Sequence, residues 1–173
     1  MRRLFVFALL LFSAAALQAQ RIQIDLPPGL ASKAVETVDV TLDGPLLRLA
    51  ARFLDGDGDE RVARDMIRQL QGIYVKSYQF DDENAYDKTV LDKVRAQLGP
   101  SWKRLVLVKE HGDHTEIHAD MRGENVVGLL VIAAERRELT IVNLVGPIDI
   151  EKLATLEGHF GIPKHGRKDK SND

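Results

Sequence analysis

The chain has 173 residues, with 24 Lys plus Arg, 26 Asp plus Glu and no cysteine. A net charge of −2 leaves no clustered basic excess for binding nucleic acid. The lack of cysteine removes disulfides, thiolate chemistry, zinc fingers and iron–sulfur clusters. With 45% apolar and 29% charged residues, the composition is that of one globular domain rather than a disordered chain.

Arg2 and Arg3 precede an apolar run from Leu4 to Phe12 and a small-residue stretch from Ser13 to Ala19. Basic, then apolar, then small is the order of a Sec-type secretory signal peptide, predicted here over residues 1–19 with cleavage after Ala19 or Ala16. The apolar run is about half of the ~20 residues that span a bilayer, so no stable transmembrane anchor is expected after cleavage. The Ser and Lys of a twin-arginine motif do not surround Arg2-Arg3, and without cysteine there is no lipobox. The address is therefore periplasmic or secreted. Loss of the two arginines takes the charge from −2 to about −4. In an oxidising compartment this chain must rely on its core alone.

Arg21 to Gly29 reads as a short polar lead-in closed by Pro27-Pro28. Leu30, Ala34, Val35 and Val38 stand at helical spacing and predict a first helix over Leu30 to Val40. Gly44-Pro45 starts a second helix, with Leu46, Leu47, Leu49, Ala50, Phe53 and Leu54 on one broad stripe. After the Asp55-Gly56-Asp57-Gly58 loop, a third helix from about Asp59 carries Val62, Ala63, Met66, Ile67 and Leu70 and stops at Gly72. Ile73 to Phe80, rich in β-branched and aromatic residues, reads as a strand. Asp87 caps a helix with Val90, Leu91, Val94 and Leu98 that ends at Gly99-Pro100.

Four strands follow, Trp102 to Lys109, Thr115 to Met121, Val126 to Ala134 and Glu138 to Val145, joined by connections short enough only for antiparallel neighbours. Val126 to Ala134 is apolar on both faces and reads as a central strand. Thr115 to Met121 alternates, and is expected nearer an edge or with one wet face. Asp149 caps a last helix with Ile150, Leu153 and Leu156, ending at Gly158, and residues 164–173 form a disordered polar tail. The expected fold is α+β: a mostly antiparallel sheet of about five strands packed with helices, preceded by an N-terminal helical segment over 30–71. Residues 20–163 then form a single domain, with strand, helix, four strands and helix over 72–160. The N-terminal helices are expected to cover the sheet face left by the other two.

Candidate chemistry gathers on one strand. His114, Glu116, His118 and Asp120 project from one face at about 7 Å spacing, and His111 lies across the turn. Imidazoles and a carboxylate are the ligand types zinc, nickel or iron take, so His111, His114, Glu116 and His118 are the candidate metal residues. The plainer account is the solvated face of an amphipathic strand. Asp55-Gly56-Asp57-Gly58-Asp59-Glu60 has the first three acidic positions of a calcium loop, but Glu60 stands where Gly is needed and Met66 where the bidentate Glu is needed. Ser32, Ser77, Ser101 and Ser171 lie in no nucleophile elbow, and no glycine-rich phosphate loop is present. Asp81-Asp82-Glu83 reads as solvated loop charge, and His159 as a lone histidine beside a helix stop. No catalytic or cofactor-binding residue is predicted, and no cofactor.

Several segments resemble one family of exported bacterial proteins, the domain of unknown function 4252 family. These are Leu42-Asp43-Gly44-Pro45-Leu46-Leu47, Gly72-Ile73-Tyr74-Val75-Lys76-Ser77, Val131-Ile132-Ala133-Ala134-Glu135 and Ile141-Val142-Asn143-Leu144-Val145-Gly146-Pro147-Ile148-Asp149. Leu153 to Pro163 looks like the same family. The resemblance implies an envelope or periplasmic protein and carries no catalytic residues with it. The expected function is an exported cell-envelope interaction module without enzymatic activity, binding an envelope protein or cell-wall component. Two alternatives stand beside it. One is a metal-binding protein or metal-dependent enzyme on the His114, Glu116 and His118 face. The other is a regulatory component of envelope signalling whose helical N-terminal part contacts another protein.

Overall fold

The computed structural model describes residues 21–54, 56–83 and 85–155. The stretch expected to be a signal peptide, the expected helix stop at Gly158, His159 and the expected polar tail lie outside the described residues.

The last four strands build a meander. β3 (Trp102–Glu110), β4 (Asp113–Arg122), β5 (Asn125–Ala134) and β6 (Glu138–Ile148) pair antiparallel in sequence order. The β3–β4 turn is His111-Gly112, with φ of 49° and 95°. Positive φ at both central residues matches the right-handed twist of a two-residue hairpin. β6 then pairs antiparallel with β2 (Gly72–Gln79), which pairs antiparallel with β1 (Glu36–Asp43). The result is a six-stranded α+β sheet in the order β1-β2-β6-β5-β4-β3.

The sixth strand, β1, corrects the expected helix over Leu30 to Val40. Only a single turn, α1 (Pro28–Ala31), forms there. From residue 36 onward Val38, Val40 and Leu42 alternate with Thr37, Asp39 and Thr41, and they stand opposite Ser77, Val75 and Ile73. β-branched side chains lose rotamer freedom in a helix and pack well on a pleated surface, so sheet pairing prevails over weak helical spacing. The helices α2 (Gly44–Ala50) and α3 (Asp59–Gln69) follow where their periodicity placed them, with a 3-10 turn at Ala51–Phe53 between them. Gly58 (φ 64°) holds the N-cap position of α3. Asp87 caps the next segment by accepting from the Thr89 N–H at 2.8 Å, but the helix is split into a 3-10 turn at Lys88–Leu91 and a short α4 (Asp92–Arg95). Asp149 accepts from Lys152 N–H at 3.1 Å and starts α5 (Ile150–Thr155).

The main core lies on one sheet face. Leu130, Ile132, Leu139 and Ile141 are fully buried there, with Leu91 and Val94 packed over them. Arg21 to Gly29, expected as a polar lead-in, is a strap across this face: Ile22, Ile24 and Leu30 are core residues. Each such burial stabilises by about 1.5–3 kcal/mol. The Ile22 N–H donates to Asn143 Oδ1 at 3.0 Å, and Asn143 Nδ2 donates to Leu129 O at 3.2 Å, so the buried amide is used on both sides. The strap is also joined to the segment after α4, where Gln97 Oε1 accepts from Gln23 N–H and Gln97 Nε2 donates to Gln23 O, both at 2.8 Å. Arg21 lies 4.0 Å over the Tyr74 ring.

A smaller cluster holds the opposite face, where Leu70, at the end of α3, packs with Ala119, Leu129, Leu144 and Ile148. Across that face runs a row of register partners, Val40, Val75, Val142, Val131, Ile117 and Val106. The end of α3 approaches β6 closely at Gly146, whose φ is 126°. Gln71 N–H donates to Val145 O at 2.7 Å beside it. A Cβ on Gly146 would stand 2.8 Å from Gln71 N and 2.9 Å from Leu70 Cα. Gly146→Ala is therefore expected to cost roughly 2–3 kcal/mol, from the positive φ and the backbone clash combined. Urea denaturation would read this as a lower midpoint at unchanged slope.

Candidate functional site

The polar face of β4 lies inside the molecule. Alternation along the strand puts His114, Glu116, His118 and Asp120 on one side, as the pattern predicts. That side meets α4 rather than water: Glu116 is 3% exposed and Asp120 fully buried, with His118 buried beside them. The solvated face is thus overturned, while the expected place nearer an edge holds. β4 lies second from the sheet edge, and the helical segment before β3 folds back over it.

α4 supplies the group that makes this burial tolerable. Arg95 Nε and Nη2 both donate to Glu116 Oε1, at 3.0 and 2.8 Å. His114 Nε2 lies 2.6 Å from the same oxygen, and His118 Nε2 2.8 Å from Oε2. Arg95 Nη1 also donates to Asp92 Oδ1 at 3.2 Å. Burial pushes the Glu116 carboxyl up, but hydrogen bonds from His118 and Arg95, the Arg95 charge and the bond from His114 outweigh it and bring the pKa down to about 2. An ionised carboxylate only accepts, so both imidazoles carry their proton on Nε2.

The four candidate metal residues divide. His114, Glu116 and His118 converge on one carboxylate. His111, its side chain 85% exposed, sits on the turn with Nδ1 3.8 Å from Glu110 Oε1. Ligation uses imidazole lone pairs and free carboxylate oxygens. Here the Glu116 oxygens are already taken, Oε1 by Arg95 and His114 and Oε2 by His118. Among the described residues no group of three or more His, Asp or Glu side chains is disposed to hold a metal ion. The arrangement works as an electrostatic clamp between β4 and α4.

Beside the clamp, Asp120 stands opposite Trp102 in β3 and Gly128 in β5. A Cβ on Gly128 would lie 3.2 Å from Asp120 Cβ and 3.4 Å from the Trp102 ring, so glycine makes room for both. Arg122 Nη2 is 3.8 Å from Asp120 Oδ2. A shallow cleft lined by Lys88, Lys109, His111, Asp113 and His114 opens at the β3–β4 turn, where Lys88 Nζ donates to Gly112 O. Sequence reading found the three clustered side chains of β4 but missed Arg95 and Asn143. The available signal was a polar row next to a strand apolar on both faces, since any element covering β5 also reaches its neighbour.

A family model described as Domain of unknown function (DUF4252) matches residues 32–156, more than half of the chain. The chain belongs to this family, as the segment resemblance implied. No curated protein and no solved structure matches.

Glu116→Gln keeps the shape of the clamp and removes its charge. A loss of about 2–3 kcal/mol is expected at neutral pH, since Arg95 keeps part of its solvation while the histidines lose a charged acceptor. The folded pKa lies below the ordinary value of 4.5, so the ionised group stabilises above that pH and the contribution fades as pH falls towards 2. Urea midpoints measured down an acid series should therefore converge for wild type and Glu116→Gln. Parallel curves would contradict the clamp.

Proposed function

We propose that this member of the DUF4252 family is an exported cell-envelope protein that acts as a non-enzymatic interaction module, with the outward side of α2 and its following turn as the binding surface. One observation carries this reading. Leu46, Leu49 and Phe53 are all exposed, Phe53 at 79%, while Leu47 and Ala51 on the other side are buried. Spacings of three and four residues place the exposed three on one helical stripe. Large apolar side chains gathered on a surface mark a contact site.

Arg48 and Arg52, exposed one turn apart, flank the stripe. The partner that fits is a protein presenting an apolar groove edged by carboxylates. Export is supported by the basic, apolar and small order of residues 1–19. A regulatory role in envelope signalling would use the same surface.

The full chain carrying a photo-crosslinking residue at Leu49, and separately at Glu124 in the β4–β5 turn, tests both halves. The expected result is a periplasmic form beginning near residue 20 and a discrete crosslinked partner from position 49 alone. Leu46→Ser, Leu49→Ser and Phe53→Ser together should abolish the crosslink while moving stability by no more than about 0.5–1 kcal/mol. Recovery from the cytoplasm with residues 1–19 intact, or the same crosslinks from both positions, would refute the reading.

A further inference from the structure

β3 is an edge strand whose outer side lacks the usual protection. Leu105, Val106, Leu107 and Val108 follow one another along it, each between 37 and 51% exposed. Natural edges are blunted by short length, charges, proline or bulges, because their open N–H and C=O groups template pairing with another chain. Here the irregularity falls early, between Arg104 and Val106, and the charges stand at the two ends: Lys103 and Arg104 at one, Lys109 and Glu110 at the other. The middle offers open backbone groups and apolar side chains together.

We propose that β3 pairs with β3 of a second copy of this chain, antiparallel about a two-fold axis through Leu107, so that two sheets join into one. The pattern of the strand identifies the occupant. In such a pair opposed side chains point the same way, so the axis must pass through a residue rather than between two. Centred on Leu107, the pairing sets Leu107 against Leu107 and Val106 against Val108. The register irregularity between Arg104 and Val106 lies outside these pairs at both ends. Centred on Val106, it would set Leu107 against Leu105, which lies within the register irregularity. Centred on Val108, it would set Val106 against Glu110 and Leu107 against Lys109.

The Leu107 register also prolongs the apolar row that ends at Val106, because Val108 of the second copy continues it on the same face. Direct apolar pairs across strands are units of sheet stabilisation. This inference stands apart from partner binding at α2.

Sedimentation velocity on the full chain tests it, with circular dichroism to show that each variant keeps its fold. Wild type is expected to be dimeric at about 100 µM. Leu107→Lys and Leu107→Glu should each be monomeric, since the axis puts like charges face to face, and an equimolar mixture should recover a one-to-one dimer. Because the chain has no cysteine, Leu107→Cys provides a second measurement. Mild oxidation should link it into a covalent dimer, whereas Leu105→Cys should stay unlinked. A monomeric wild type at that concentration, growth into species larger than a dimer, or a dimer indifferent to both charges at Leu107 would overturn the proposal.

Discussion

The buried carboxylate of Glu116 is the constraint on which the arrangement of the main core depends. A charge taken out of water is costly unless it is paired and hydrogen-bonded, and every stabilising partner here comes from a particular place. Two imidazoles come from the same strand, and the guanidinium comes from α4. α4 spans four residues, far too few to be stable as an isolated helix. Arg95 on Glu116, with Leu91 and Val94 buried beneath, holds it over β4. Gln97, just beyond it, then grips the strap through Gln23, and the strap reaches back to Asn143 on β6. A single line of polar contacts therefore runs from β4 through α4 and the strap to β6, around the apolar core it encloses.

The two polar anchors differ in kind. Glu116 uses charge-assisted bonds, which are strong and directional but depend on its staying ionised. Asn143 uses a neutral amide, which accepts from the strap and donates to β5 and does not titrate. One end of the enclosure is thus sensitive to acid and the other is not. Outside it, the opposite sheet face has only a modest cluster around Ala119, Leu129 and Ile148. The large exposed apolar groups, Phe53 and the Leu105–Val108 run, lie on the perimeter.

The strands after residue 72 were legible because each is bounded by turn residues and carries β-branched runs of the right length. β5 was readable as central because both of its faces are apolar, and it does lie between β4 and β6. The family was legible from short ordered segments such as Ile141 to Asp149. β1 was misread because Leu30, Ala34, Val35 and Val38 satisfy a helical period locally, while the strand is decided by pairing with β2, far along the chain. The strap was misread for a similar reason: Ile22 and Ile24 are only two apolar residues in a polar stretch, and their burial depends on a sheet made later in the sequence. At the candidate site the convergence of His114, Glu116 and His118 followed from strand alternation. Its burial did not, because nothing in β4 itself announces that Arg95 will fold over it.

The bond between Ile22 and Asn143 joins residues 121 positions apart. Closing so long a loop costs entropy that no single hydrogen bond repays, so it forms only after the β3–β6 meander and β2 have provided a surface to receive it. Ile22 and Ile24 of the strap share one cluster with Leu130 and Ile141. One core is therefore closed in two ways, by tight turns along the meander and by a contact that spans most of the described chain.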